Sequence, residues 1–168
     1  MRLRRRPRLP KLTDQEREAL ADDVAARLAA AFEEILADLA PERAGIAVVP
    51  QNQAPDGARW ITVRPLNEAA AQFEVACTPT DLTVILADQG CRQEMDLDQH
   101  TSVAGTVEQC AELFRAVVQG KYSEELRKSG RFFTHVVGTA ATSSGPVTFR
   151  TVATKIFGEP ETRHYQPY

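Results

Sequence analysis

Apolar residues recur along this chain at two different periods, and the switches between them mark out its elements. From Thr13 to Ala40 they step by threes and fours. Leu20, Val24, Leu28, Ala31, Ile35 and Leu39 form one stripe, widened by Phe32 and Leu36, which is the spacing of an amphipathic helix. Thr13-Asp14-Gln15-Glu16 has the form of a capping box, in which the threonine hydroxyl and the glutamate carboxylate each take an orphan backbone N–H. Pro41 stops the helix. Such a helix is about 40 Å long, comparable to the diameter of a domain of this size, so its length alone requires no second copy.

From Gly45 to Leu97 the period falls to two. Short runs at Ile46–Val49, Arg59–Arg64, Gln72–Thr78, Thr83–Ala87 and Cys91–Leu97 read as strands separated by turn residues such as Pro55-Asp56-Gly57 and Asp88-Gln89-Gly90. Ile61 and Val63 oppose Trp60, Thr62 and Arg64; Phe73, Val75 and Cys77 oppose Gln72, Glu74 and Ala76. One-sided alternation of this kind belongs to antiparallel sheet with one wet face. The more continuously apolar Thr83–Ala87 reads as a central strand.

The helical period returns at Val103, Val107, Cys110, Phe114 and Val117, with Gly120 placed as the residue just past the C-cap. Residues 121–128 fit either a helical turn or an edge strand. A hairpin follows: Phe132–Ala140, a turn at Thr142–Gly145, and a return through Val147–Val152.

These elements predict an α+β fold: an antiparallel β-meander sheet of about five to eight strands, flanked by a long N-terminal helix and a second helix, with a C-terminal hairpin. The expected organisation is a disordered basic arm at 1–12, one α+β domain at 13–154 and an extended or disordered tail at 155–168. The order of helix, meander, helix and hairpin resembles small secretion-chaperone-like and immunity-type folds. That likeness is one of layout, carried by no signature residue.

Charge changes the picture at one end. Arg2, Arg4, Arg5, Arg6, Arg8 and Lys11 place six basic and no acidic groups in the first twelve residues, leaving 14 basic and 23 acidic groups, a net −9, on the rest. Such an arm can neutralise phosphates without reading sequence, although no aromatic residue within it offers base stacking. No apolar stretch follows the arm, and no run approaches the roughly 18 residues of a membrane span. A cytoplasmic protein without membrane contact is expected. Abundant alanine, arginine and aspartate suit a bacterial coding style. Cys77, Cys91 and Cys110 are odd in number, form no CxxC and share apolar faces, so they are expected as core thiols.

Candidate chemistry is sparse. Glu94, Asp96, Asp98 and His100 share one face if the fifth strand continues; carboxylates with an imidazole suit a divalent metal or acid–base work. The competing reading is the solvated face of an amphipathic strand. His135 alternates with Phe133 and Val137 and is expected to pack, while His164 lies in the tail. No GxSxG, P-loop, GxGxxG or HExxH occurs, and no cofactor or catalytic residue is expected. The leading expectation is a protein-binding module, chaperone-like or immunity-type, whose partner is another chain or a second copy of itself. Nucleic-acid contact through residues 1–12, and a small enzyme or metal site around Asp96, Asp98 and His100, are the alternatives.

Overall fold

A computed structural model describes residues 12–54, 56–87, 91–97, 102–129, 132–150 and 160–168, with the side chains of 96, 127–129 and 132–135 excepted. It has the expected α+β class. Helix α1 (Asp14–Leu39) precedes strands β1 (Ala44–Val49), β2 (Arg59–Pro65), β3 (Phe73–Cys77), β4 (Asp81–Leu86) and β5 (Cys91–Asp96). These five pair antiparallel in sequence order, a plain meander. Helix α2 (Val103–Val118) follows, then β6 (Tyr122–Ser129), β7 (Phe132–Thr142), β8 (Gly145–Arg150) and β9 (Pro160–His164). The last four strands make a second antiparallel sheet in the order β8-β7-β6-β9.

The helix boundaries follow from local chemistry. The Thr13 hydroxyl accepts from the Glu16 N–H at 3.2 Å, and the Glu16 carboxylate accepts from the Thr13 N–H at 2.7 Å, completing the capping box. These bonds hold the Glu16 carboxyl below its ordinary range. Thr13→Ala is expected to cost about 1 kcal/mol, read as a lowered urea midpoint with unchanged slope. At the end of α2, Gly120 adopts φ +70°, its N–H donates to the Val117 carbonyl, and the Lys121 N–H donates to the Ala116 carbonyl. Together these form a Schellman motif. A Cβ at Gly120 would also lie 2.7 Å from the Pro167 backbone nitrogen, so glycine is required there twice over.

Helix α1 lies on β1, β2 and β3, α2 packs against both α1 and β7, and β5 touches β7 and β8. Buried Val24, Leu28, Phe32 and Ile35 of α1 meet Ile61, Val63, Phe73 and Val75 of the first sheet, and the same core continues through Phe114 and Val117 to Tyr122, Leu126 and Phe149. Cys77, Cys91 and Cys110 are buried within it and form no disulfide, as their parity indicated. Burial pushes the Cys77 and Cys110 thiols up to about 12.

Three features depart from simple periodicity. The strands divide between two sheets after α2. Residues 122–129 form an interior strand flanked by β7 and β9, in place of a helical turn or an edge. The tail is extended as one expectation had it, yet it is also built in. Pro160–His164 pairs with β6, and Tyr168 is buried, its hydroxyl donating to the Ala71 carbonyl at 2.7 Å. The Asp88-Gln89-Gly90 turn, residues 1–11 of the arm and residues 151–159 lie outside the described residues.

Candidate functional site

The chemistry expected around β5 resolves only in part. Glu94 is exposed, opposite Thr83 of β4, on the face away from the core where Cys91 and Leu97 are buried. Asp96 lies in β5, but its side chain is outside the described set, as are Asp98 and His100 entirely. Among the described residues no three His, Cys, Asp or Glu side chains gather as metal ligands would. Arg2, Arg4, Arg5, Arg6, Arg8 and Lys11 lie outside the described residues, and so does the His135 side chain. The Thr142–Gly145 turn forms as expected. Ser143 and Ser144 at its tip donate to the two carboxylate oxygens of Glu112 on α2, Ser144 at 2.6 Å, and hold that carboxyl below its ordinary range.

Two buried charges went unforeseen. Arg59 takes the inner face of β2 beside Ile61 and Val63 and is only 4% exposed. Its guanidinium reaches Asp22 and Glu18 on α1, each at 2.6 Å, and the Gln51 amide oxygen at 3.0 Å. Asp22 and Glu18 are four apart and therefore share a helix face, so one fork-shaped cation fastens α1 across the sheet. Glu124 is fully buried on β6 and accepts from the Tyr122 hydroxyl at 2.8 Å and the Tyr165 hydroxyl at 2.7 Å. Gly138 of β7 makes room for this pair, because a Cβ there would lie 2.9 Å from Tyr122 Cε2. Burial, then the neighbouring Cys91 and Glu124, push the Tyr122 hydroxyl far above the ordinary phenol range. Both constellations cross-link elements, with Arg59 Nη1 left buried and without a hydrogen-bond partner, and neither sets a nucleophile against a base.

A cleft of about 550 Å³ opens where the end of β2 and the loop after it meet β9. Arg64, Gln72, Arg163, His164 and Tyr165 are among its lining residues. Glu68 also lines it, and Glu124, buried behind Tyr165, acts electrostatically on Arg163, so the cleft holds charges of both signs.

The free strand edges are more distinctive. The described sheets end in β1, β5, β8 and β9. Strand β5 carries Arg92, Glu94 and Asp96; β8 has Pro146 and Arg150; β9 has Pro160, Glu161 and Arg163. Charges and prolines of this kind keep an edge from pairing with another chain. Strand β1 reads Ala-Gly-Ile-Ala-Val-Val and has neither. The Leu66 N–H donates to the Arg43 carbonyl directly opposite it, extending the β1–β2 register by one pair. Hydrogen-bonded and non-bonded pairs alternate in antiparallel sheet. Gly45, Ala47 and Val49 therefore bond to β2, while Ala44, Ile46 and Val48 turn their N–H and C=O groups to the open side.

Among the described residues, the large apolar side chains left exposed are Val48, at 51%, and Leu66, at 74%. Both flank this edge. Val48 pairs with fully buried Ile61, so it points to the core side of the sheet, yet it stands half uncovered. Leu66 follows the residue paired with Ala44 and marks the strand's other end.

The chain matches no family model, no curated protein and no solved structure.

Proposed function

We propose that the protein is a cytoplasmic protein-binding module, chaperone-like or immunity-type in character, which accepts an extended segment of another polypeptide as a sixth strand beside β1. The coincidence at β1 supports this reading: the edge without charge or proline is also the edge flanked by the exposed Val48 and Leu66. Main-chain groups of Ala44, Ile46 and Val48 supply the hydrogen bonds of strand addition, and the Val48 side chain supplies apolar contact on the core side. No helix among the described residues is long and apolar enough to cross a membrane. Three buried cysteines without a disulfide suit a reducing compartment.

The alternation of bonds along β1 provides a selective test. Val48→Pro removes an N–H that points to the open side and leaves the β1–β2 ladder intact. Tagged wild-type chain should co-purify with a partner from native lysate, and the amides of Ile46 and Val48 should exchange slowly in that complex. Val48→Pro should lose the partner while retaining its circular dichroism spectrum. Equal capture by both forms would rule out strand addition at β1.

A further inference from the structure

We propose that the cleft between the end of β2 and β9 binds the free α-carboxylate of an amino acid or of a peptide chain end, held between the guanidiniums of Arg64 and Arg163. This site is separate from the β1 edge and does not depend on strand addition there.

The two walls of the cleft belong to different sheets, and hydrogen bonds fix how far apart they stand. In the loop after β2, the Ala69 carbonyl accepts from the Gln166 N–H at 3.0 Å, and the Asn67 side-chain amide donates to the Pro167 carbonyl at 3.0 Å. Ala70 and Gln166 also pair as a parallel bridge. The β9 wall is braced from behind. Tyr165 stacks on Tyr122 with ring centroids 5.3 Å apart, and its hydroxyl donates to fully buried Glu124 at 2.7 Å. Arg163 and Tyr165 are two residues apart on extended chain, so they share a face, and both line the cleft. A guanidinium carried on so fixed a wall gives up little freedom when a ligand arrives.

The polar groups of the cleft select the ligand. Among the described residues neither Arg64 nor Arg163 forms an ion pair, although Arg163 is half-buried. The paired N–H groups of a guanidinium match the two oxygens of a carboxylate. Glu68 shares the cleft, and Glu124 and Glu161 act on Arg163. With those anions near, the two guanidiniums suit one negative charge better than the nearly two of a phosphate monoester. Acceptors are present as well. The Glu68 carboxylate is one, and the Gln72 amide is another, since its nitrogen donates to Glu74 at 2.7 Å and leaves its carbonyl oxygen. A ligand that carries an N–H donor beside its carboxylate meets both sets, as an amino acid or the last residue of a peptide does. At about 550 Å³ the cleft lies within the range of small-ligand sites.

The test is an NMR titration of the isotope-labelled full chain with three probes: alanine, N-acetyl-alanyl-alanine, and the same dipeptide with its C-terminus amidated. A free acid should shift the backbone amides of Ala69, Ala70 and Ala87 and the side-chain N–H signals of Arg64 and Arg163, and these shifts should saturate. The amidated dipeptide should bind at least about tenfold more weakly, because it lacks the charge that the guanidiniums recognise. Saturation by alanine assigns the site to free amino acids; saturation by the dipeptide acid alone assigns it to chain ends. Arg163→Gln and Arg64→Gln should each weaken the acid by about tenfold or more. Arg64 is exposed, so its replacement leaves the core intact and keeps the test valid if Arg163→Gln disturbs β9. Arg150→Gln, on β8 and outside the cleft, should change nothing. Equal binding of acid and amide, no saturable shift with either acid, or affinity unchanged in Arg64→Gln would overturn the proposal.

Discussion

Phe114→Ala is expected to destabilise the protein by about 3–5 kcal/mol, the usual range for deleting a buried aromatic ring. The ring is fully buried on α2. It lies 4.5 Å from Phe32 of α1, 5.0 Å from Phe73 of β3 and 6.1 Å from Tyr168 near the end of the chain, measured between centroids. Phe32 and Phe73 are in turn edge-on at 5.4 Å. One side chain thus joins both helices, the first sheet and the C-terminal tail. Truncation loses the transfer free energy of the ring and leaves a void that three elements would have to move together to fill. Because Tyr168 packs on the same ring, the tail should loosen with it, visible as faster amide exchange at Tyr168, whose N–H donates to the Val118 carbonyl. Equilibrium urea unfolding reads the main effect. A cost below about 1 kcal/mol would mean that the cluster is not the junction of the core.

Elements whose burial is set by neighbours in sequence were legible before the structure. The α1 stripe, its capping box, the Gly120 stop and the inward parity of Ile61, Val63, Phe73 and Val75 all come from side-chain spacing and local hydrogen bonds. What escaped depends on distant partners. Strand β6 presents Tyr122, Glu124 and Leu126 inward, and the glutamate interrupts the apolar alternation that would have identified a strand. Its burial is tolerable because one phenol comes from two residues away and the other from Tyr165, which is 41 residues distant. Arg59 misleads in the same way, since its carboxylates lie on α1, some forty residues earlier. Strand β9 carries Pro160, Glu161 and Arg163 and reads as tail; β6 makes it a strand. For the candidate site, the outward position of Glu94 on β5 could be read from the alternation alone. The open edge of β1 could not, because strand order in a sheet is not a local property.

These buried polar groups also show how the fold is specified. Leaving either partner of a buried pair without the other is costly, so Arg59 penalises any docking of α1 that misses Glu18 and Asp22. Glu124 likewise penalises any arrangement of the tail that withdraws Tyr165. Apolar surface supplies the attraction between layers, while these contacts choose one alignment among several of similar area.

Alkaline pH should begin to destabilise the protein before lysine or arginine titrate. In the unfolded chain Cys77 and Cys110 ionise at about 8.5; in the folded protein burial holds both protonated up to about 12. Their folded values lie above their unfolded ones, so the stability linked to them is fully present below pH 8. It falls as pH rises, because the unfolded state gives up protons that the folded state keeps. The decline from the two thiols amounts to about 3–4 kcal/mol by pH 10 and continues until the folded thiols themselves titrate. Burial also raises the hydroxyls of Tyr122, Tyr165 and Tyr168, and these steepen the loss above pH 10. Urea midpoints measured from pH 7 to 11 should therefore be level to pH 8 and then drop. Cys110→Ala, though less stable at pH 7, should show a shallower decline than wild type between pH 9 and 10, since one linked proton is gone. Stability independent of pH from 8 to 10 would mean that these thiols reach solvent and that the packing of α2 against β3 is looser than the structure has it.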